Sequence, residues 1–430
     1  MQDWRNYKKV LLPDIPNLNE IDVYMKHGGY EQLKKVLTGN DWDPKKVVDE
    51  VKAANIRGRG GAGFNAGLKW SFMPPKKEGV PRYLACNGDE SEPGTFKDRR
   101  LYEFNPHLFI EGALIACYAM EMDAAYVYIR GEYIDWIDIM EKAVEEAYAK
   151  GVAGKNLFGT GKDIDVYVHT GAGAYICGEE TSLMESLEGK RPYPRSKPPF
   201  PAQFGLWGKP TTINNIETLA NVPLVLKNGA EWWRSIGAPN HPGPLLYGIS
   251  GHVNRPGVYE YPSGMKILDL INEVAGGMRN NKKIKCVVPG GSSCPFLTRE
   301  MVESGLTMDS DSLRSVGSTL GTSGMCVLNE DTDIVKFTLR IAKFYDHESC
   351  GQCTPCREGT GWFVKILTKF HNSEASMQDL EKLLELCDTM EGRTVCALAD
   401  ATAWPVRSAL VHFREDFEKR VTRQGVFATA

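Results

Sequence analysis

Apolar positions change their spacing three times along the chain, and each change predicts a different kind of structure. From about Arg82 onward, short β-branched and aromatic runs (Tyr83-Leu-Ala-Cys86, Ala125-Tyr-Val-Tyr-Ile129, Ile164-Asp-Val-Tyr-Val168) alternate with helical stretches over 108–120 and 133–150. Strand, helix, strand in that rhythm predicts an α/β core with a mostly parallel sheet. Upstream a helix is predicted over 44–54, with Asp43 as its cap and Pro44 at the first position, where a missing N–H costs nothing. A Pro-rich stretch, Arg191-Pro-Tyr-Pro-Arg-Ser-Lys-Pro-Pro-Phe-Pro201, interrupts the core, and a helix after Asn214-Asn215 closes it by about Ala230.

Between 245 and 330 the pattern shortens. Strands are predicted at 245–249, 257–260 and 285–288, with turns at Asn254-Arg-Pro-Gly257 and Pro289-Gly-Gly291 and one helix over 266–275, which suggests a small β-grasp module. From Ile334 to the end, apolar residues recur at helical spacing (Leu339, Phe344; Phe363, Ile366, Leu367; Leu380, Leu383, Leu384; Val406, Leu410, Phe413, Phe417), which predicts a helical bundle. The expected organisation is an N-terminal segment (1–56), a Rossmann-like α/β domain (57–240), a β-grasp domain (241–330) and a helical bundle (331–430).

Composition narrows the function classes. The 430 residues are 42% hydrophobic and 25% charged, as in a soluble globular protein, and the net charge of −4 offers nucleic acid or anionic lipid no broad attraction. Eleven cysteines, an odd number, and no apolar signal segment at the start predict a reducing compartment and a cytoplasmic protein. No apolar run approaches the ~20 residues that span a bilayer.

The cysteines carry chemistry. Cys350, Cys353 and Cys356, in Glu348-Ser-Cys-Gly-Gln-Cys-Thr-Pro-Cys-Arg357, place three thiolates at two-residue intervals, with Cys387 and Cys396 downstream. Three such thiolates can wrap corners of a [4Fe–4S] cubane, whereas structural zinc usually takes two separated pairs, and a thioredoxin-type Cys350-Gly-Gln-Cys353 pair has no use for Cys356. On spacing alone either Cys387 or Cys396 could be the fourth ligand. The bundle is therefore expected to carry the cluster, with a zinc staple as the bland alternative.

Three loops have the composition of a cofactor site. Arg57-Gly-Arg-Gly-Gly-Ala-Gly-Phe64 contains Gly58-x-Gly60-x-x-Gly63, but it follows a helix and precedes an exposed-looking Lys69-Trp70, so it is not an orthodox dinucleotide fingerprint. Its glycines still let N–H groups approach phosphate, with Arg57, Arg59 and Lys69 as nearby cations. Thr170-Gly-Ala-Gly-Ala-Tyr-Ile-Cys-Gly-Glu-Glu-Thr-Ser182 does run from strand to helix, yet it lacks Gly-Lys-Ser/Thr, and Glu179 and Glu180 would repel a triphosphate while suiting ribityl or ribose hydroxyls. Asn87-Gly-Asp-Glu-Ser-Glu-Pro-Gly94 crowds three acids at a strand end, where open sheets bind ligands.

Taken in order, these motifs together with Asn214-Asn-Ile-Glu-Thr218 resemble the NADH-oxidising flavoprotein subunit of NADH:quinone oxidoreductase, respiratory complex I, over nearly the whole chain. The resemblance implies one FMN, an NADH site stacked on it, an SLBB-type β-grasp domain, and a [4Fe–4S] cluster on Cys350, Cys353, Cys356 and Cys396. It further implies that Gly58, Arg59, Gly60, Lys69, Asn87, Asp89, Glu90, Tyr175, Gly178, Glu179, Asn214, Asn215 and Thr218 surround FMN. Phe64, Phe72, Glu92, Glu180, Lys197 and Phe200 are implied to meet NADH, the aromatic rings suiting an adenine face. Without the resemblance Phe64 and Phe72 would pass for core residues. Cys86 and Cys177 read as small buried hydrophobes.

In such a subunit the flavin carries the hydride chemistry and no side chain acts as a covalent catalyst, with Glu180 in support. Implied partners are a thioredoxin-like [2Fe–2S] subunit and a larger iron–sulfur subunit, which hold the chain at the cytoplasmic side of the inner membrane without insertion of its own. The alternative within the same chemistry is the diaphorase subunit of an NAD-linked hydrogenase or formate dehydrogenase. Those relatives often carry fused ferredoxin-like domains, and this chain has no further cysteine cluster before Arg57 or after Cys396. The alternative of another class is a non-catalytic zinc-stabilised module.

Overall fold

A computed structural model describes residues 3–422. Four parallel strands organise its first half: β1 (Tyr83–Gly88), β2 (Ala124–Ile129), β3 (Asp165–Thr170) and β4 (Thr211–Asn215), in the order β3-β2-β1-β4. The chain winds from β1 outward through β2 and β3, then returns β4 to the other side of β1. A crevice therefore opens beyond the carboxyl ends of β1 and β4, the place where open α/β sheets bind ligands. The short strand β4 has no clear period-two signal, because Thr211-Thr-Ile-Asn-Asn215 has one strongly apolar residue and is a strand by pairing with β1.

The helix Pro106–Ala119 is buried almost all round, because the sheet covers one side and the N-terminal segment the other. Its buried Glu111 accepts N–H bonds from Tyr30, Gln32 and Leu33 and the Tyr24 hydroxyl at 2.5 Å, which fastens that segment to the core. The predicted helix after Asp43 runs Pro44–Ala53, and Asp43 accepts from the Lys46 N–H at 2.8 Å.

A two-residue ribbon, β5 (Gly237–Ala238) and β6 (His241–Pro242), leads to a second sheet. Its strands are β7 (Pro244–Gly251), β8 (Gly257–Pro262), β9 (Ile284–Val288), β10 (Leu297–Thr298) and β11 (Gly324–Asn329), ordered β10-β9-β11-β7-β8. The central strand β11 pairs parallel with β7 and antiparallel with β9. The expected helix over 266–275 is present as a single α turn, Ile267–Asp269, widening into a π turn, Leu270–Val274.

Helices Ile334–Glu348, Thr354–His371, Met377–Met390 and Leu398–His412 form the bundle, packed around Phe363, Leu367, Phe370, Leu380 and Leu383. That core also takes in Ile176, from the loop after β3, so the α/β domain and the bundle share packing at this point. Among the described residues no helix is long and apolar enough to cross a membrane.

Candidate functional site

A cavity of about 610 Å³ lies where the three parts meet, at the carboxyl ends of β1 and β4. The glycine loop forms one wall. Gly58 N–H bonds to Phe64 O at 2.8 Å and closes the loop, while Gly61 and Gly63 hold φ of +110° and +64°, which side chains resist. A Cβ on Gly60 would come within 3.2 Å of Asn215 Cβ, a tight contact, so glycine eases the close approach of the two cavity walls. The loop does follow a helix, as expected, but Lys69-Trp70 is not an exposed segment. Trp70 is fully buried in the short helix Ala66–Trp70, and its indole donates to Asn214 Oδ1 at 2.8 Å.

The cations near the loop divide their work. Arg59 turns its guanidinium away from the loop, into the junction with the β-grasp domain, where it bonds Pro242 O at 2.9 Å, Pro244 O at 3.1 Å and the His241 ring. Burial lowers Arg59 to about 10, and burial together with Arg59 pushes His241 down to about 2, so the imidazole is neutral. The Arg59 backbone N–H bonds Thr218 Oγ1 at 2.9 Å, which places Thr218 behind the loop as its support. Arg57 remains at the cavity wall with a buried Nε that has no partner within the protein.

The floor is a buried ion network. Lys97 Nζ lies 2.7 Å from Asp98 and 2.6 Å from Glu217, with all three side chains almost fully buried. Asp98 accepts from the Asn215 amide at 2.7 Å, and Glu217 accepts from the Leu246 N–H at 3.1 Å, which ties the floor to β7. Glu90 accepts the N–H groups of Lys97 and Asp98 at 2.7 and 2.8 Å, with Arg99 and Tyr133 on its other oxygen. Burial raises the Glu90 carboxyl, with Asp98 adding to the effect. The acidic turn is therefore not a solvated loop, because Glu90 is only 5% exposed.

Asp89 differs from Glu90 in being only half satisfied. One oxygen accepts from Ser91 Oγ at 2.9 Å, while Oδ2 is buried without a partner, and burial raises the group to about 7. Asn87 holds the opposite loop by donating to Gly178 O at 2.9 Å. A buried Asp89 oxygen and a buried Arg57 Nε–H, both in the cavity lining and both without a partner in the protein, are what a polyhydroxylated, phosphate-bearing ligand would satisfy, so the residues present fit FMN.

The rim is built from longer side chains; of these only Glu179 lines the cavity, while Phe64, Phe72, Glu180, Lys197 and Phe200 lie outside its lining. Glu179 caps the helix Glu180–Leu187 by accepting from Thr181 and Ser182 N–H at 2.8 and 3.0 Å. Glu180 lies between Lys69 at 2.8 Å and Lys197 at 2.6 Å. Burial would raise its pKa, but the two lysines outweigh it and hold Glu180 at about 2. Phe64 and Phe72 pack with centroids 6.1 Å apart and stand 48% and 56% exposed, and Phe200 is 54% exposed. Rings this exposed do not belong to the core. Cys86 and Cys177, by contrast, are buried as small hydrophobes.

Glu92 sits where all three parts touch. It accepts from the Tyr175 hydroxyl at 2.7 Å, the Ser293 N–H at 2.7 Å and the Tyr345 hydroxyl at 3.3 Å. The same cavity continues past Tyr175 and Ile176 to Cys396, Leu398 and Trp404. Cys353 precedes the helix Thr354–His371 and Cys356 lies in its first turn. Val395 N–H points at Cys353 Sγ (3.4 Å) and Ser349 Oγ lies 3.2 Å from Cys356 Sγ, hydrogen bonds of the kind that tune iron–sulfur clusters. Cys396 lies in the cavity lining. Cys387 points elsewhere: it is fully buried and directed at Ala403 O at 3.5 Å. Four thiols have the chemistry of a [4Fe–4S] ligand set, but among the described residues no three metal-ligating side chains are gathered into a ready metal site.

Of the residues implied for FMN, all but Lys69, Asn214 and Thr218 line the cavity, and those three brace it from behind or at the rim. Sequence reasoning does not reach Lys97, Asp98 and Glu217, nor the β-grasp lining at Ser293, Arg314 and Thr319-Leu-Gly-Thr322. Lys97-Asp98 beside the acidic turn is the available signal. The β-grasp residues carry none, since nothing in a sequence places a second domain against the first.

An FMN-binding domain and an iron–sulfur region define the class: an electron-transferring flavoprotein. Family models match residues 51–224 as the Nuo51 FMN-binding domain, 246–297 as an SLBB domain, and 336–420 as the NADH-ubiquinone oxidoreductase-F iron–sulfur binding region. The F-type NADH-quinone oxidoreductase subunit of Rickettsia typhi is 50% identical over 93% of this chain and 94% of its own length. An F-type subunit of the same enzyme in Rhizobium meliloti is 50% identical over 94% of this chain and 95% of its own. The chain belongs to the family of F-type NADH-quinone oxidoreductase subunits. Among solved structures, NAD⁺-reducing [NiFe]-hydrogenase in its air-oxidised state matches with a TM-score of 0.80 at 35% identity, covering 88% of this chain and 63% of that one. Its H₂-reduced state gives 0.81 at 34%, covering 93% and 65%.

Proposed function

We propose that this chain oxidises NADH and feeds the electrons, one at a time, into the iron–sulfur chain of complex I toward quinone. The observation that carries this reading is the single cavity walled at one end by the glycine and carboxylate loops and at the other by Cys396. FMN, when bound, supplies the exchange between two-electron hydride chemistry and single-electron transfer, which neither NADH nor an iron–sulfur cluster provides.

The protein's part is binding, orientation and charge. The glycine loop, Asn87, Asp89, Glu90, Tyr175, Gly178, Glu179 and Asn215 hold the flavin, with Arg59, Lys69, Asn214 and Thr218 supporting them. Phe64, Phe72 and Phe200 give an adenine ring faces to stack on. Glu180 and Lys197 form a pair at the rim that an incoming dinucleotide can exchange for its own hydroxyls and phosphates, and Glu92 orients the nucleotide beside Tyr175. Cys350, Cys353, Cys356 and Cys396 hold the [4Fe–4S] cluster. Electrons leave to a thioredoxin-like [2Fe–2S] subunit and a larger iron–sulfur subunit, at the cytoplasmic side of the inner membrane.

The test is anaerobic purification followed by flavin, iron, labile-sulfide and zinc analysis, with NADH added to the visible spectrum. The expected protein is coloured, and NADH bleaches its flavin band. Colourless, flavin-free protein holding zinc would make the reading untenable. The hydrogenase likeness favours a second reading, a diaphorase subunit, and copurification of a nickel-containing partner in place of iron–sulfur subunits would select it.

A further inference from the structure

The contact that joins the cavity to the cysteine loop uses a side chain outside the cofactor loops. Glu348 ends the helix Ile334–Glu348 and stands two residues before Cys350. Its Oε2 accepts the backbone N–H of Tyr175 at 3.2 Å, at the start of the Tyr175–Gly178 turn that lines the cavity. The Tyr175 ring is also held edge-on by Phe344 and Tyr345, at 5.3 and 5.7 Å, one turn before Glu348 on the same helix. Ser349, the next residue, contacts Cys356 Sγ. The Glu348 side chain is 19% exposed, and its other neighbour is the exposed His347, at 3.5 Å.

We propose that Glu348 is a positioning residue for electron transfer: its carboxylate fixes the cysteine loop against the Tyr175 loop and places a negative charge between the cavity and the cysteine loop. This rests on the reading that FMN and a cluster occupy their respective ends. The two roles are separable by chemistry. A fixed carboxylate opposes adding an electron nearby, so removing its charge makes the cluster easier to reduce. Its reach, a side chain two methylenes long, sets the separation of the two loops. Glu348→Gln keeps the reach and an acceptor oxygen while losing the charge. Glu348→Asp keeps the charge and loses one methylene of reach.

The experiment is an EPR-monitored redox titration of the cluster in the purified holoprotein, paired with stopped-flow measurement of cluster reduction after NADH addition. In Glu348→Gln the ratio of reduced to oxidised cluster at a fixed potential should rise about fivefold, equivalent to about 40 mV on the one-electron scale. Glu348→Asp should keep the native midpoint and reduce its cluster several-fold more slowly. An unchanged midpoint in Glu348→Gln with an unchanged rate in Glu348→Asp would overturn the proposal, as would loss of iron from both, which marks a purely structural side chain. Native protein without iron or flavin would instead defeat the underlying functional reading, before either variant is measured.

Discussion

The carboxylates of the cavity floor and Glu180 at its rim have the same chemistry and different anchoring. On the floor, Glu90, Asp98 and Glu217 are locked by backbone N–H groups, a buried lysine and side chains with no room to move. On the rim, Glu180 is held only by Lys69 and Lys197, two flexible side chains that are each about a third exposed or less. The floor suits a resident group that stays; the rim suits a substrate that must arrive and depart. Rigid preorganisation lowers the cost of holding a ligand, while exchangeable ion pairs let a new partner replace an old one at little net cost.

The largest effect should come from the floor. Lys97→Met leaves Asp98 and Glu217 buried without their cation, and should cost about 3–5 kcal/mol by denaturant unfolding, with loss of bound flavin. A floor lysine that can be removed with little cost would erase the distinction. The cysteine end gives the next test: Cys396→Ser should lose most of the iron and labile sulfide, whereas Cys387→Ala should keep them, since Cys387 faces Ala403. At the rim, Glu180→Gln should leave folding and turnover chemistry largely intact and change NADH or NAD⁺ affinity about tenfold, roughly 1.4 kcal/mol, in steady-state and product-inhibition kinetics. Unchanged affinity would remove Glu180 from the nucleotide site.

Asp89 supplies an effect read through its pH dependence. Its carboxyl is raised from 3.8 to about 7 by burial, so the folded state favours the protonated form. Its contribution is therefore favourable below about pH 4 and is lost progressively as pH rises through 7. In flavin-free protein, Asp89→Asn should be more stable than native by roughly 1–3 kcal/mol at pH 8 and nearly equal at pH 4, by thermal unfolding across pH. Glu180 gives the opposite slope: depressed to about 2, it stabilises above the ordinary glutamate value and the benefit disappears as pH falls from about 4.5 toward 2.

Local pattern was enough for much of the molecule. The short β-branched and aromatic runs of β1 to β3, the capped helix after Asp43 and the helical spacing after Ile334 are all properties of neighbouring residues, and all appear where expected. The three cysteines at two-residue intervals and the glycine and acidic loops are local too, and they were enough to suggest the chemistry. The strand β4 and the buried position of Trp70 were not legible, because each depends on a partner far away in the chain: β1 for the strand, Asn214 for the indole. The same holds for Arg59, whose guanidinium reads as a phosphate ligand beside glycines but is consumed by carbonyls of residues 242 and 244.

Residue types and their spacing thus determined which chemistry this protein carries and roughly where each fold element lies. Only the tertiary structure decided which acids are fixed and which are exchangeable, which arginine is structural, and that Glu348 spans from the cysteine loop to Tyr175. The reason is physical. A side chain's charge and shape belong to the sequence, but its pKa, partners and freedom to move depend on burial and on neighbours that folding brings from distant parts of the chain.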